Sequence, residues 1–331
     1  MRLLAGGGPS SPDPHVLRAL TTPLIGQFDP DFTRIMDDVV QLARATFFTA
    51  SEHCFAVSAL APGGLEAVLN SLLTDGTSVM IGGSPRFVSE TAEIVRRVGG
   101  EPSGDRMGEW IVVPLIDPYT CQLVPVREVA AHAHTQEARL VVEATLGLGA
   151  CELRVDDWDL DVCVAGADYA VGASSGMSLV TYSAEVQALM QGRESAPRTS
   201  YLDLLQLQAY WSPERLNHHT APTSLVYGLR EALRLAQPVA DLWARHAEIG
   251  RVLRDGLSTL GLETSGDLPY SVVHLPSGVD EVHARRRLAE EFGVYVTIVG
   301  PRAWRLGLLG ADARPEGVNI AVAALRTVFG A

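Results

Sequence analysis

From about residue 50 to residue 182, short apolar runs alternate with amphipathic stretches, a pattern that predicts parallel β/α units. Thr77–Ile81, Trp110–Ile116, Arg139–Thr145, Asp161–Ala165 and Met177–Tyr182 read as strands. Between them, Gly64–Leu73, Arg86–Val98 and Val126–Ala133 place apolar residues three and four apart, the spacing of a helix face. Pro222 precedes a long helical region, Ser224 to Leu260, with Leu225, Leu229 and Leu233 on one face and a break expected at Pro238. The C-terminal part reads as a small α+β unit: strand Ser271–Leu275, helix Val279–Phe292, strands Val294–Val299 and Trp304–Leu308, and a final helix after Pro315. No repeat or low-complexity linker interrupts the pattern, so the two parts are expected to pack closely.

Composition narrows the classes of function. The chain has 331 residues, 47% apolar and 20% charged, enough for a substantial core. Its net charge of −13 offers no basic footprint for nucleic acid or an anionic membrane surface, so neither partner is expected. The cysteines Cys54, Cys121, Cys151 and Cys163 have no C-x-x-C spacing, which suggests reduced thiols in a cytoplasmic protein. No stretch reads as a signal peptide or a membrane span. All 26 basic residues are arginines, and the chain contains no lysine. Chemistry that requires a side-chain primary amine is therefore closed to it.

Several strings in order carry a resemblance. Gly7-Gly8-Pro9-Ser10 opens the chain, and Pro23-Leu24-Ile25-Gly26, Leu65-Glu66-Ala67, Asp161-Val162-Cys163-Val164 and Tyr201-Leu202-Asp203 follow. Asn217-His218-His219-Thr220-Ala221-Pro222 and Trp304-Arg305-Leu306-Gly307 complete the series. Nearly end to end, the chain resembles class V aminotransferases of the alanine–glyoxylate and serine–pyruvate type, which depend on pyridoxal phosphate. The resemblance implies the α/β fold type I aminotransferase fold: a large, mostly parallel seven-stranded sheet domain plus a small C-terminal α+β domain. It divides the chain into an N-terminal segment packing with the small domain (1–20), the large domain (21–235) and the small domain (236–331).

Departures from the family fall at the chemistry. Where the resemblance implies the lysine that forms the internal aldimine, this chain has Tyr169, preceded by Asp168. A phenol with a pKa of about 10 relays protons but forms no imine, and arginine stays protonated below about pH 12. The phosphate-binding turn is matched by Ala59-Leu60-Ala61-Pro62-Gly63, a degenerate site in which Ala61 brings no hydroxyl and Pro62 no N–H. Asp168 should repel a phosphate there. No cofactor is therefore expected, with a non-covalent pyridoxamine phosphate (PMP) or pyridoxal phosphate (PLP) adduct as the minor alternative. Glu143 takes the place of the acid that pairs with the pyridine nitrogen, and Phe87 that of the stacking aromatic ring. Asp117 and Thr120 lie in a loop matching the one over the cofactor, His219 and Thr220 in a loop that reaches a partner subunit. Arg305 matches the arginine that grips the substrate carboxylate. The His218-His219 pair has a counterpart in the family without metal, so no metal is expected.

These residues suggest an enzyme of biosynthetic metabolism that binds a small carboxylate or amino-acid-like substrate. Arg305 would hold it, with Phe87, Asp117, Thr120, His219 and Thr220 around it, while Tyr169, Asp168 and Glu143 perform acid/base chemistry without the cofactor. A pseudo-aminotransferase subunit that completes the site of a lysine-bearing paralogue is the alternative. A homodimer is expected under the first reading, a heterodimer under the second.

Overall fold

A computed structural model describes residues 2–330; Met1 and Ala331, the outer ends of the expected terminal segments, lie outside the described residues. The N-terminal part runs β1 (Leu3–Leu4), α1 (Pro14–Leu20), α2 (Pro30–Phe47), β2 (Cys54–Val57), α3 (Ala61–Leu72), β3 (Ser78–Ile81), α4 (Pro85–Arg97) and β4 (Glu101–Pro102). The middle comprises β5 (Trp110–Pro114), α5 (Val126–Thr135), β6 (Arg139–Glu143), β7 (Val162–Gly166), β8 (Ser178–Tyr182), α6 (Ala184–Gln191), α7 (Leu204–Trp211) and α8 (Thr223–Leu235). The remainder is α9 (Val239–Ser258), β9 (Glu263–Ser265), β10 (Ser271–His274), α10 (Glu281–Phe292), β11 (Val294–Tyr295), β12 (Thr297–Gly300), β13 (Ala303–Leu306) and α11 (Pro315–Phe329).

The main sheet has seven strands in the order β2-β8-β7-β6-β5-β3-β4. Only β8 runs against its neighbours, so β2, β3, β5, β6 and β7 all end at one edge. The inner strands β5, β7 and β8 are buried along their whole length, which is why their sequences read as apolar runs rather than alternations. Helices start on the usual oxygens: Asp13, Asp29, Ser84, Ser183, Asp203 and Asp280 each accept a first-turn N–H. Helix α3 differs, since it follows Leu60 with no side-chain cap and carries Pro62 in its first turn.

A four-stranded antiparallel sheet, β12-β13-β10-β9, and the helices around it enclose a second core built on Leu253, Leu257, Leu288, Trp304 and Leu325. The N-terminal segment serves both parts of the molecule. Its β1 pairs in parallel with β11 and Gly6 bridges Gly307, whereas α1 packs on α8 through Val16 and Leu20.

The predicted strands and helices of the sheet domain form within a few residues of their expected ends. Pro238 separates α8 from α9, as its missing N–H requires. Three differences have local causes. The helix expected from Val279 starts at Glu281 because Asp280 caps it. Val294–Val299 divides into β11 and β12, which pair with different strands. Strand β2 was not among the expected elements, since four consecutive buried residues, Cys54–Val57, show no period.

His246 of α9 joins the two parts of the molecule. It is 0% exposed, with Nδ1 2.9 Å from the Gly149 carbonyl, while the Gly310 N–H donates to Nε2 at 3.1 Å. Only the neutral ring with its proton on Nδ1 satisfies both contacts. Burial, reinforced by the nearby Arg245 charge, lowers its pKa to about 4. The unfolded chain therefore binds a proton that the native state refuses between about pH 6.5 and about 4, and stability is lost as pH falls through that window. Denaturant melts at pH 7 and pH 4 should show a loss of up to about 3 kcal/mol from this group. A His246→Gln variant should be less stable at pH 7 and should lack that share of the pH dependence.

Candidate active site

Strand ends and two helix starts converge at the shared edge of the main sheet, the usual position of a ligand crevice in a parallel sheet. The chain leaves β7 after Gly166 and turns within three residues through Asp168 and Tyr169. Ser10 of the N-terminal segment fixes this turn: its N–H donates to the Asp168 carbonyl at 2.9 Å and its hydroxyl to the Tyr169 carbonyl at 2.6 Å. The Tyr169 ring lies flat against Gly8, where even a methyl group would come within 2.0 Å of Cδ1. Glycine is required there by both this approach and a φ of +117°.

Arg305 reaches the same place from β13. It is only 4% exposed, with Nε donating to the Gly6 carbonyl at 3.0 Å and Nη1 to the Pro118 carbonyl at 3.0 Å. The Tyr169 ring is its neighbour: the Arg305 guanidinium packs against Gly7 and the Tyr169 ring against Gly8. Burial pushes the Tyr169 phenol above its ordinary pKa, Asp168 adds to this, and Arg305 opposes it. The phenol is therefore protonated at neutral pH, beside a cation able to stabilise it after proton loss.

The acids take different environments. Glu143 ends β6, where Oε1 accepts the Thr145 N–H at 3.0 Å and burial raises its pKa. Thr145 also accepts the Gly166 N–H at 2.9 Å, tying the ends of β6 and β7 together. Asp168 is 7% exposed, with Oδ2 accepting the Ser175 hydroxyl at 2.6 Å. Asp117 is committed to its own loop, accepting backbone N–H groups from Ser84 at 2.6 Å and from Tyr119 and Thr120 at 2.9 Å. Burial pushes its pKa up, but these donors outweigh burial and hold it below the ordinary carboxylate value.

The structure thus brings Tyr169, Asp168, Glu143 and Arg305 together, with Asp117 and Thr120 shaping the adjoining loop. Phe87 is buried at the start of α4, near Gly83 and Asp117. His219 and Thr220 belong to another group: the His219 ring lies 4.8 Å from Tyr201 and 5.3 Å from His218, and Thr220 is exposed. Burial pushes the Cys121 thiol up to about 12, which suits a packed thiol rather than a nucleophile. Among the described residues, no three His, Cys, Asp or Glu side chains are grouped to hold a metal. Ser10, Gly6, Gly8, Pro118 and Ser175 were not among the candidates, because most act through backbone atoms or close approach and carry no side-chain signature.

The fold, with its large mostly parallel sheet and small α+β unit, is that of fold type I aminotransferases. A family model described as aminotransferase class-V matches residues 118–272. The (S)-ureidoglycine–glyoxylate transaminase of Bacillus subtilis is 30% identical over 378 residues, covering 99% of this chain and 91% of that protein. An alanine–glyoxylate aminotransferase of Drosophila melanogaster is 26% identical over 359 residues, covering 98% and 91%. The crystal structure of the Bacillus subtilis ureidoglycine–glyoxylate aminotransferase superposes with a TM-score of 0.94 at 29% identity, over 99% of this chain and 93% of that one. The chain belongs to the class-V aminotransferase family.

These comparisons correct the expectation of no cofactor. The relatives are aminotransferases, so pyridoxal phosphate is the cofactor to which they point. Tested on the residues present, the fit is divided. Glu143 and Phe87 suit a pyridine ring and its nitrogen. The start of α3 does not suit the phosphate: Ala61 and Pro62 bring no hydroxyl, Pro62 no N–H, and the Ser178 hydroxyl is turned onto the Ala59 carbonyl at 2.9 Å. Ala61, Pro62 and Gly63 leave only backbone donors, with Asp168 beside them. Nor does any side chain offer an amine for a covalent link.

The loop role of Asp117 is directly measurable. Asp117→Ala leaves three N–H groups without their acceptor and should lower stability by about 2–3 kcal/mol in urea unfolding at pH 7. The difference from wild type should shrink as pH falls below about 4 and the wild-type carboxylate is protonated.

Proposed function

We propose that this protein is an aminotransferase-fold enzyme acting on small amino acids and 2-oxo acids, with its cofactor held by contacts rather than by a covalent link. The observation that carries this reading is the buried Arg305 with the half-buried Tyr169 and Glu143 near it, in a chain with no lysine. The names of the relatives, with ureidoglycine, alanine and glyoxylate, support a small substrate. When bound, the cofactor supplies a conjugated pyridine ring as an electron sink.

The chain's own residues supply the rest. Arg305 keeps N–H groups beyond the two given to Gly6 and Pro118, and these would grip the substrate carboxylate. Tyr169 would move a proton at its hydroxyl oxygen, with Arg305 stabilising the phenolate. Glu143 would hold the ring nitrogen and Phe87 would flank the ring. A homodimer fits this reading, since Leu24, Phe28, Leu60, Tyr201 and Leu216 are large apolar side chains left exposed.

Small 2-oxo acids should raise the melting temperature of the protein, and Arg305→Lys should abolish the rise, because an ammonium cannot reproduce the planar fork. Tyr169→Phe should lower turnover by about 10²–10⁴ while leaving the ligand-induced shift intact. Loss of both would make Tyr169 a binding residue and remove its proton-transfer role. Borohydride treatment with the cofactor present should add no pyridoxyl mass to any side chain, and such an adduct would overturn the contact-only reading. Light scattering should give twice the chain mass at micromolar concentration; a monomer would overturn the dimer.

A further inference from the structure

The end of the crevice at the start of α3 has a feature that the proposed function does not use. An uncapped helix N-terminus at the C-terminal edge of parallel strands normally draws an anion, through its unpaired N–H groups and the helix dipole. Here a carboxylate of the chain lies close to that helix start. A methyl group built on Gly166 would lie 3.1 Å from both Ala61 Cβ and Asp168 Oδ1, which places the carboxylate beside the first residue of α3. Asp168 is held there from two sides, by Ser10 on its carbonyl and Ser175 on Oδ2. It is more than nine-tenths buried and has no ion-pair partner among the described residues, and Oδ1 accepts no hydrogen bond from any of them.

We propose that Asp168 makes this crevice selective for an unphosphorylated pyridine ligand, a hydroxymethylpyridine of the pyridoxamine type, over the corresponding 5′-phosphate ester. The inference rests on the reading that the crevice holds a pyridoxal-type ring. A dianion at the start of α3 meets a fixed carboxylate, with Pro62 withholding one N–H and no first-turn hydroxyl to compensate. A neutral hydroxymethyl group instead donates to Oδ1, the acceptor left without a partner, and leaves the Ser175 contact undisturbed. Asp168 is thus a specificity-determining residue, and it acts through the sign of its charge.

Isothermal titration calorimetry with pyridoxamine and with pyridoxamine 5′-phosphate tests this on the wild type and on Asp168→Asn, which keeps the shape and the Ser175 contact. The wild type should bind pyridoxamine roughly tenfold or more tightly than its phosphate, and Asp168→Asn should move the ratio toward the phosphate by roughly tenfold or more. Asp168→Ser, with an unchanged circular dichroism spectrum, should move the ratio the same way and guards against a misfolded first variant. Tighter binding of the phosphate by the wild type, or an unchanged ratio in both folded variants, overturns the selectivity while leaving the pyridine reading in place. Failure of either compound to bind wild type or variants, with the Arg305-dependent response to 2-oxo acids retained, overturns the pyridine reading and this inference together.

Discussion

The arrangement depends on a buried arginine satisfied by backbone carbonyls from distant parts of the chain. Arg305 stands on a strand of the small sheet, yet its guanidinium donates to Gly6 in the N-terminal segment and to Pro118 in a loop of the main sheet. A guanidinium removed from water is costly unless its N–H groups find partners. These two carbonyls supply part of that compensation and fix three regions of chain to one another. Tyr169 completes the environment from a fourth region, the turn after β7. The position of the cation follows from docking the small sheet against the main one.

Backbone geometry at the sheet edge does the remaining placement. Five strands ending at one edge bring Glu143 and Asp168 into one crevice, and Thr145 locks the ends of their strands together. Ser10 holds the turn containing Asp168 and Tyr169 by two hydrogen bonds, and Gly8 allows the phenol ring to lie against the N-terminal segment. His246 links the same layers close to this turn, between the Gly149 carbonyl and the Gly310 N–H, with Gly310 packed against Ser10. Domain packing and site geometry therefore share the same contacts, and a change at either is felt at the other.

Family membership and site chemistry must be reconciled within one chain. Near full-length similarity to glyoxylate transaminases establishes the fold and family and points to pyridoxal phosphate. The absence of lysine closes the covalent link irrespective of how any segment aligns. The crevice offers groups that suit a ring and a carboxylate, and no amine for a tether or first-turn hydroxyl for a phosphate. The physical distinction is one of charge and nucleophilicity. Arg305 and Glu143 are residue types that suit a carboxylate and a ring nitrogen, whereas the chain brings a phenol, a proline and a carboxylate to the crevice and no amine.

The sequence by itself determined a good deal. Periodicity located five of the seven strands of the main sheet and the helices α3, α4, α5 and α8, Pro238 marked the break between two helices, and the ordered strings carried the family. The lack of an amine is a property of composition and needed no structure. Strand β2 escaped because four consecutive buried residues have no period, and the division of Val294–Val299 escaped because it depends on which strands pair. Only the tertiary structure decided that Asp117 spends its oxygens on its own loop, that Ser175 and Ser10 hold the Asp168 turn, and that His219 groups with Tyr201. The physical reason is distance along the chain: Gly6 and Arg305 are 299 residues apart, and local spacing carries no record of a contact made only when two sheets close on one another.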